Sequence, residues 1–373
     1  MQQIPITQIP VHLGERSYQI HLGRTMLDSL AALLGDFFRL KSVVIITDRN
    51  VARHHLIPLK KYLEGLHYQT FCIVIPAGEN QKSPSRALAL YTRLLREGVT
   101  RKSLVIALGG GVIGDLAGFV AATYQRGLSL LHLPTSLLAQ VDSSVGGKVG
   151  INHPRAKNMI GAFHQPVAVW TDVHYLLTLP QRQIICGLGE VIKYAAIFDK
   201  SFFQYLETVL PQILRLESDV LLQAVARCIT EKAALVSRDE REDGERVILN
   251  LGHTIGHALE TATNYRVLTH GEAVMLGLIA EGYIAQKMGL LDSVTLERLV
   301  ALIQRVLWKF KIPSIRQAPV LQAIRVDKKN VSQGRNRFVL LKQFGEVHVV
   351  ENVEEQLIRE SLQLLAQMRF DKS

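Results

Sequence analysis

Along the first half of the chain, apolar and polar positions alternate between two kinds of run. Short apolar, often β-branched runs at Ile9–Leu13, Tyr18–Leu22, Val43–Thr47, Thr70–Ile75, Leu104–Leu108 and Ser129–Leu133 have the length of strands. The first two flank Gly14 and predict a hairpin. Helical stretches lie between the later runs: Asn50–Glu64, Pro84–Glu97 with Ser83 as its N-cap, and a helix opening around Gly111. Strands alternating with helices predict a parallel sheet covered on both faces. After Leu179-Pro180 the pattern turns almost wholly helical. The candidates are Gln183–Phe198, Asp219–Val236, Arg246–Thr263, Gly271–Met288 and Ser293–Phe310. A late pair, Arg337–Lys342 and Val347–Glu351, reads as a hairpin turning at Gly345, and a closing helix spans about Val353–Met368. The expected fold is an α/β domain over 1–179 with a parallel nucleotide-binding sheet, followed by a mainly α-helical domain over 180–373.

Composition narrows the class. The chain has 373 residues, 48% of them hydrophobic and 20% charged. At roughly 150 residues per domain this suggests two or three domains with large cores, and it excludes a disordered or fibrous chain. Cys72, Cys186 and Cys228 are odd in number and far apart. That argues against a disulfide framework or a cysteine zinc site, and for a reducing, cytoplasmic setting. Met1–Pro10 is polar and does not read as a signal peptide. Ser103–Ala122 is apolar over about the ~20 residues of a membrane span. Its glycines 109, 110, 111, 114 and 118, with Asp115, read instead as strand, turn and helix.

The net charge is +10. Many enzymes are simply basic, but the excess also suits nucleic acid or an anionic small substrate. No nucleic-acid motif, long Lys/Arg run or set of interleaved aromatics is present, so an anionic substrate is favoured. Local basicity concentrates in Leu321–Gly345, where Arg325, Lys328, Lys329, Arg335, Arg337 and Lys342 face one acid, Asp327.

Candidate chemistry appears in two places. Leu104–Leu108 runs into Gly109-Gly110-Gly111-Val112-Ile113-Gly114-Asp115, a strand whose glycines open a helix. Backbone N–H groups and a helix N-terminus there suit a phosphate, although a tight strand–helix turn also needs glycine. Asp48 in Thr47-Asp48-Arg49-Asn50 suits a ribose hydroxyl pair or a helix cap. Gly78-Glu79-Asn80-Gln81-Lys82 follows the next strand end and alone would be a surface turn. In the second half, His253 and His257 stand at i and i+4 on one helix face, where metal binding competes with a chance pair. Thr254 excludes H-E-x-x-H. His270 follows, and Glu190 and Lys193 lie about one turn apart on an apolar helix. One Glu with two or three of these His would make a metal site with an open position, yet nothing in the sequence joins Glu190 to His253.

Longer motifs carry a resemblance. Gly109–Phe119, the run Leu138-Ala139-Gln140-Val141-Asp142-Ser143-Ser144-Val145-Gly146-Gly147-Lys148 continuing into Gly150-Ile151-Asn152-His153, Lys157–Phe163, Gly189–Tyr194 and Leu249–His257 resemble the 3-dehydroquinate synthases. The resemblance runs from Thr47 to the hairpin after Lys329. It implies an α/β NAD-binding domain, a helical domain, a divalent metal (zinc or cobalt) and a homodimer. It places the metal on Glu190, His253 and His270, and leaves His257 as a hydrogen-bonding or proton-relay residue. It places NAD on Asp48, Asn50, Gly78, Glu79, Lys82, Gly110, Gly111, Val112, Gly114, Asp115, Thr135, Ser136, Asp142, Lys148, Lys157 and the segment Tyr175, Leu176, Leu177, Thr178. It places substrate on Asp142, Lys148, Lys193, Lys232, Arg246, Asn250, His253, His257, His270 and Lys328 or Lys329, with Arg126 lent across the dimer. Departures are small: Ser136 for a second Thr, Val149 for Thr, Arg155-Ala156 where Gly is frequent, and Gly189 for Ala.

The reaction implied is conversion of 3-deoxy-D-arabino-heptulosonate 7-phosphate to 3-dehydroquinate and phosphate. It proceeds by transient oxidation, phosphate elimination, reduction, ring opening and aldol closure, without net use of NAD. Neither nucleic acid nor a membrane is an expected partner. The competing readings are a cyclase making another cyclitol, a metal-dependent alcohol or glycerol dehydrogenase, and a basic nucleic-acid-binding protein.

Overall fold

The computed structural model describes residues 6–37, 42–154, 156–326 and 336–370. Its backbone falls into two units. One is Met1–Pro180 with Leu216–Arg241, and the other is Gln181–Arg215 with Glu242–Ser373.

The first unit is built on a seven-stranded sheet. Its strands are β1 (Thr7–Val11), β2 (Tyr18–Gly23), β3 (Ser42–Asp48), β4 (Gln69–Ile75), β5 (Ser103–Gly109), β6 (Ser129–Pro134) and β9 (Ala168–Asp172), in the order β1-β2-β9-β6-β5-β3-β4. All neighbours pair in parallel except β1 with β2, the expected hairpin. Successive side chains of a strand point to opposite faces, and the core divides accordingly. Val44, Ile46, Val105 and Ala107 pack on one face, and Val43, Ile45, Leu104, Ile106 and Leu108 on the other. Every residue of β5 is buried, which is why the central runs are continuously apolar rather than alternating. The apolar stretch that mimicked a membrane span is β5 followed by the helix Gly111–Thr123. Among the described residues no helix is long and apolar enough to cross a membrane.

Two features of this unit were not expected. β7 (Lys148–His153) and β8 (Ala156–Phe163) form a separate antiparallel pair. Gly150 lies opposite Gly161, and a Cβ on either would meet the other strand's backbone, Ile160 O at 2.7 Å and Val149 O at 2.4 Å. The close approach needs glycine, and glycine erases the strand signal. The helix Ser218–Arg238, which the sequence range 180–373 included, belongs to the first unit. It packs on β1 and on the helical turn Ala139–Ser143, burying Leu221, Ala224, Val225, Cys228, Ile229 and Lys232. Helical periodicity records that a face is buried, but not against which unit.

The second unit is helical, with helices Gln181–Phe198, Lys200–Leu214, His253–Ala262, His270–Lys287, Ser293–Val306, Gln317–Val326 and Glu355–Gln367. The hairpin β10 (Arg337–Gln343) and β11 (Glu346–Glu351) completes it. His270–Lys287 is its central helix, packed by Gln181–Phe198, His253–Ala262, Ser293–Val306, Glu355–Gln367 and β10. The expected single helix Arg246–Thr263 is a correction. A 3₁₀ segment, Glu245–Asn250, ends before Gly252, whose φ is +76°, and a new helix starts at His253. Gly252 is in the left-handed region that other residues avoid. The Glu281 carboxylate of the central helix accepts from Gly252 N (2.6 Å) and Ile255 N (3.0 Å), fixing where the new helix begins.

His132 on β6 is buried, and burial together with His164 lowers its pKa from 6.5 to about 4. The unfolded chain therefore binds a proton that the folded one refuses. Stability is whole above pH 6.5 and falls as the pH drops toward 4, by about 3 kcal/mol from this group. The His132 ring resonances should accordingly stay in the neutral position at pH 5. Titration near 6.5 would refute the assignment.

Candidate active site

Two sets of residues gather, one in each unit. In the first unit, the carboxyl ends of β3, β4, β5, β6 and β9 line one edge of the sheet, and the loops leaving them carry the residues that the resemblance assigned to NAD. Asp48 ends β3, Gly78–Lys82 follows β4, Gly110-Gly111 follows β5, Thr135-Ser136 follows β6, and Val173–Thr178 follows β9. The chain leaves β3 for β4 on one side and leaves β5 for β6 on the other, so the strand order reverses between β3 and β5. Open parallel sheets bind ligands in such a crevice. Asp48 and the glycine turn flank it.

The turn itself is tight. A Cβ on Gly110 would stand 3.1 Å from Ser136 Oγ, and one on Gly111 3.0 Å from Ser143 Oγ. Val112 opens the helix that Gly111 begins, and Gly114 lies over the His132 ring. Asp48 accepts from Asn50 N (2.8 Å) and Val51 N (3.2 Å), so it caps the helix as one of the two sequence readings proposed. Asp172 accepts from Thr25, Met26 and His174 N–H groups and holds the turn with Tyr175, Leu176, Leu177 and Thr178, where Thr178 Oγ1 lies 2.7 Å from His55 Nε2.

Lys82 is the hub of this edge. Its Nζ donates to Asp115 Oδ2 and Asn158 Oδ1, both at 2.6 Å, and lies 3.8 Å from Glu79. Burial opposes its charge, but the Asp115 and Glu79 carboxylates outweigh burial and hold its pKa above the ordinary lysine value. Asn152 donates to Glu79 at 2.8 Å, and Lys157 lies 4.0 Å from the same carboxylate. Asn152 and Asn158 were missed as site residues. Only the β7–β8 pairing brings them here. Lys148 begins β7 and is exposed, while Lys232, buried, donates to both Asp142 O and Asp142 Oδ1 at 2.6 Å.

In the second unit, Glu190, His253 and His270 converge: their ligand atoms lie within 4.8 Å of one another. Glu190 Oε1 is 3.5 Å from His253 Nε2 and 3.4 Å from His270 Nε2. Ligands on a tetrahedral ion with bonds of ~2.0–2.1 Å stand about 3.4 Å apart. Each ring's far nitrogen is already engaged, His253 Nδ1 with Leu251 O at 3.0 Å and His270 Nδ1 with Glu260 Oε2 at 3.1 Å. That outer contact fixes the tautomer and aims the Nε2 lone pair inward. Burial disfavours charge on His270, but hydrogen bonds to Glu190 and Glu260 prevail and raise its pKa to about 10. The surroundings of this ring therefore favour positive charge. A Glu/His/His donor set with these distances fits one zinc or cobalt ion, with a coordination position left over.

Backbone contact makes the convergence possible. A Cβ on Gly189 would meet Gly271 O at 2.5 Å, one on Gly271 would meet Cys186 O at 1.8 Å, and one on Gly277 would meet Gly252 O at 1.9 Å. At this spacing position 189 leaves no room for a Cβ unless the neighbouring backbone shifts. Lys193 forms a buried ion pair with Glu190 Oε2. Arg182 grips Glu272 through two bonds of 2.7 and 2.8 Å, and Glu272 forms a capping box with Thr269 at the start of the central helix. Arg246 and Asn250 sit on the 3₁₀ segment against the Gln181–Phe198 helix, Arg246 buried and Asn250 half-buried. His257 is half-buried, its ring 5.0 Å from that of His253 and 5.8 Å from that of His270. Glu260 and Glu281 were missed, because a glutamate on a mostly buried helix gives no sign of its partner. Arg126 is exposed on a turn where Gln125 and Arg126 both have positive φ (48° and 67°), past the helix end at Thr123. Lys328 and Lys329 lie outside the described residues.

The comparisons with known proteins point one way. Residues 72–186 match the family model described as 3-dehydroquinate synthase N-terminal, and 187–330 the one described as 3-dehydroquinate synthase C-terminal. The 3-dehydroquinate synthase of Desulforamulus reducens is 44% identical over 348 residues, 93% of this chain and 97% of that protein. Among solved structures, 2-deoxy-scyllo-inosose synthase complexed with carbaglucose-6-phosphate, NAD+ and Co2+ superposes with a TM-score of 0.87 at 26% identity, covering 96% of this chain and 100% of that one. The 2-epi-5-epi-valiolone synthase of Streptomyces hygroscopicus with NAD+ and Zn2+ gives 0.87 at 25%, covering 95% and 98%.

Replacing Glu260 by Gln should weaken tight zinc or cobalt binding about 10–100-fold, because the outer carboxylate raises the basicity of His270. Competition against a chelator of known affinity measures this. An unchanged affinity in a folded variant would show that the contact does not tune the ligand.

Proposed function

The chain belongs to the 3-dehydroquinate synthase family, and from that membership we propose how its own residues carry the reaction. The activity is that of an NAD- and divalent-metal-dependent lyase, which forms 3-dehydroquinate and phosphate from 3-deoxy-D-arabino-heptulosonate 7-phosphate. NAD supplies a transient hydride acceptor, and the metal a Lewis acid for the oxygen being oxidised.

The observation that carries the residue assignment is the convergence of Glu190, His253 and His270, each imidazole braced by an outer partner. These three hold the ion. On the sheet edge, Gly110, Gly111, Val112 and Gly114 present backbone to the cofactor's diphosphate, and Asp48 and Asn50 meet a ribose. Gly78, Glu79, Lys82, Asp115, Thr135, Ser136, Lys157 and the Tyr175–Thr178 turn complete its cradle. Lys82, tied to Asp115 and Asn158, is a fixed ammonium rather than a mobile one.

The cations serve a substrate bearing a carboxylate and a phosphate. Lys148, Lys193, Lys232 and Arg246 bind its anionic groups. Asn250 orients a hydroxyl, and Lys328 or Lys329 adds a further contact. Lys193 and Lys232 are buried, and each is already held by a carboxylate, Glu190 and Asp142 respectively. Such pre-positioned cations bind without paying the entropy of ordering a free lysine. Asp142 steers Lys232 and touches both cofactor and substrate. The departing phosphate takes the proton next to the oxidised carbon, and His257, half-buried beside both ligand histidines, relays protons to solvent.

The protein works in the cytoplasm as a homodimer in which Arg126 reaches the partner's site. Its strained, exposed turn is the supporting observation, since such backbone persists where a side chain has a task.

Metal-stripped protein should release no phosphate from the heptulosonate phosphate, and zinc or cobalt should restore turnover. Product per NAD should far exceed one without lasting NADH absorbance. Steady NADH accumulation in step with product would mark a simple dehydrogenase instead. Arg126→Ala and Glu190→Ala should each be nearly inactive, and mixing them should restore activity through hybrid dimers with one intact site. Hybrids verified by mass that stay inactive would refute the shared site.

A further inference from the structure

The helix that follows β3 and the turn that follows β9 are tied together by a histidine. β3 and β9 are not neighbours in the sheet, because β5 and β6 stand between them. At ~4.8 Å per strand their ends are about 14 Å apart, so no sheet pairing ties the two loops. After the Asp48 cap, the helix Arg49–Val51 passes into a π-helical turn, Ala52–Leu56. Such turns are rare and occur mostly at functional sites. His55 leaves this turn half-buried. Its Nε2 lies 2.7 Å from Thr178 Oγ1, and its ring meets that of Tyr175 edge-on at 4.7 Å. Val51, Ala52 and Tyr175 pack against the same core cluster. We propose that His55 is a positioning residue for NAD, which pins the Tyr175–Thr178 turn to the helix bearing Asp48 and Asn50 and so fixes the span of the cofactor's cradle. This rests on the cradle proposed above, and His55 acts through Thr178 and Tyr175 rather than by touching the cofactor.

The protons in the contact can be assigned. The Thr178 hydroxyl has a single proton and donates it to Tyr175 O at 3.1 Å. Its oxygen is then left to accept, so His55 Nε2 carries the proton of the shared bond. Burial, with His54 and His174 nearby, lowers the His55 pKa from 6.5 to about 4. The ring is therefore neutral near pH 7, in the tautomer with hydrogen on Nε2. A chain of bonds runs from the π-helical turn through the Thr178 hydroxyl to the backbone at Tyr175.

The consequence falls on binding. Loops already held at the right span are ordered before the cofactor arrives, which lowers the cost of binding it. The effect belongs in NAD affinity and not in the chemical steps. One net hydrogen bond corresponds to about 3–10-fold in affinity.

The test titrates NAD into the full chain by calorimetry, without substrate. His55→Phe keeps an aromatic ring against Tyr175 and loses the hydrogen bond. Its Kd for NAD should rise about 3–10-fold. In turnover, KM for NAD should rise in step while kcat at saturating NAD stays level. His55→Gln, whose amide N–H reaches nearly as far as Nε2, should restore the affinity. Thr178→Val breaks the same bond from the other side, so the double variant should lose no more than Thr178→Val alone. The proposal is overturned if His55→Phe binds NAD as tightly as the wild type, if the two losses add, or if kcat falls with KM unchanged. Should His55→Phe fail to fold, His55→Leu takes its place in the same comparison. A weakened Thr178→Val beside an unaffected His55→Phe would leave the cradle standing and remove only the role of His55. Wild-type affinity in Thr178→Val as well would remove the turn from the cradle, and this inference with it.

Discussion

Everything in the metal cluster depends on helices touching backbone to backbone. Glu190, His253 and His270 come from three helices, and three ligands of one ion must stand only about 3.4 Å apart. Helices separated by ordinary side chains run with axes 8–10 Å apart or more. Here glycine replaces the intervening side chain at each crossing: Gly189 against Gly271, Gly271 against Cys186, Gly277 against Gly252. A single methyl at Gly271 or Gly277 would sit within 2 Å of a carbonyl oxygen. Interiors as dense as crystals cannot absorb that locally, so the ligands would separate.

The sheet edge of the first unit is assembled by a different rule. Parallel strands all end on the same side, so each crossover delivers its loop to one edge whatever the helix between. Asp48, Lys82, Gly110 and Thr135 need no long-range coincidence to meet. What the loops do not supply comes from β7 and β8, whose Asn152 and Asn158 bind Glu79 and Lys82. The hairpin thereby holds the loop after β4 against the helix that carries Asp115.

This contrast explains what could be read in advance. The strands of the sheet were legible because burial on both faces writes continuous apolar runs, and the glycine turn was legible because strand, glycines and helix are adjacent in sequence. The metal ligands were legible only as fragments. His253 and His257 showed helical spacing, but Glu190 was an isolated acid in an apolar helix, and it took a family resemblance to associate it with them. The break at Gly252 was hidden because His253–Ala262 continues the same apolar stripe on the far side of the turn. The helix carrying Lys232 was seen as a helix and assigned to the wrong unit, since its apolar face is satisfied by β1 rather than by its sequence neighbours. β7 and β8 were invisible because Gly150 and Gly161, which let them approach, are poor strand formers.

Both imidazole ligands are the first residues of their helices, His253 after Gly252 and His270 after Thr269. The aligned peptide dipoles leave roughly half a positive charge at such an end. Two of them pointing at one ion would together repel it by the equivalent of about a full charge. Glu281 sits on the first of these ends, accepting from Gly252 N and Ile255 N, and Glu272 on the second, accepting from Thr269 N while Arg182 pairs with it; both carboxylates are buried. Neither carboxylate is a ligand, yet Glu281 opposes the field of the first helix end, and Glu272, whose charge is shared with Arg182, opposes part of the second. Glu190, paired with Lys193 through Oε2, keeps Oε1 turned toward the two imidazoles. Two glutamates that need never touch an ion thus shape the electrostatics of its site alongside the three residues that would hold it.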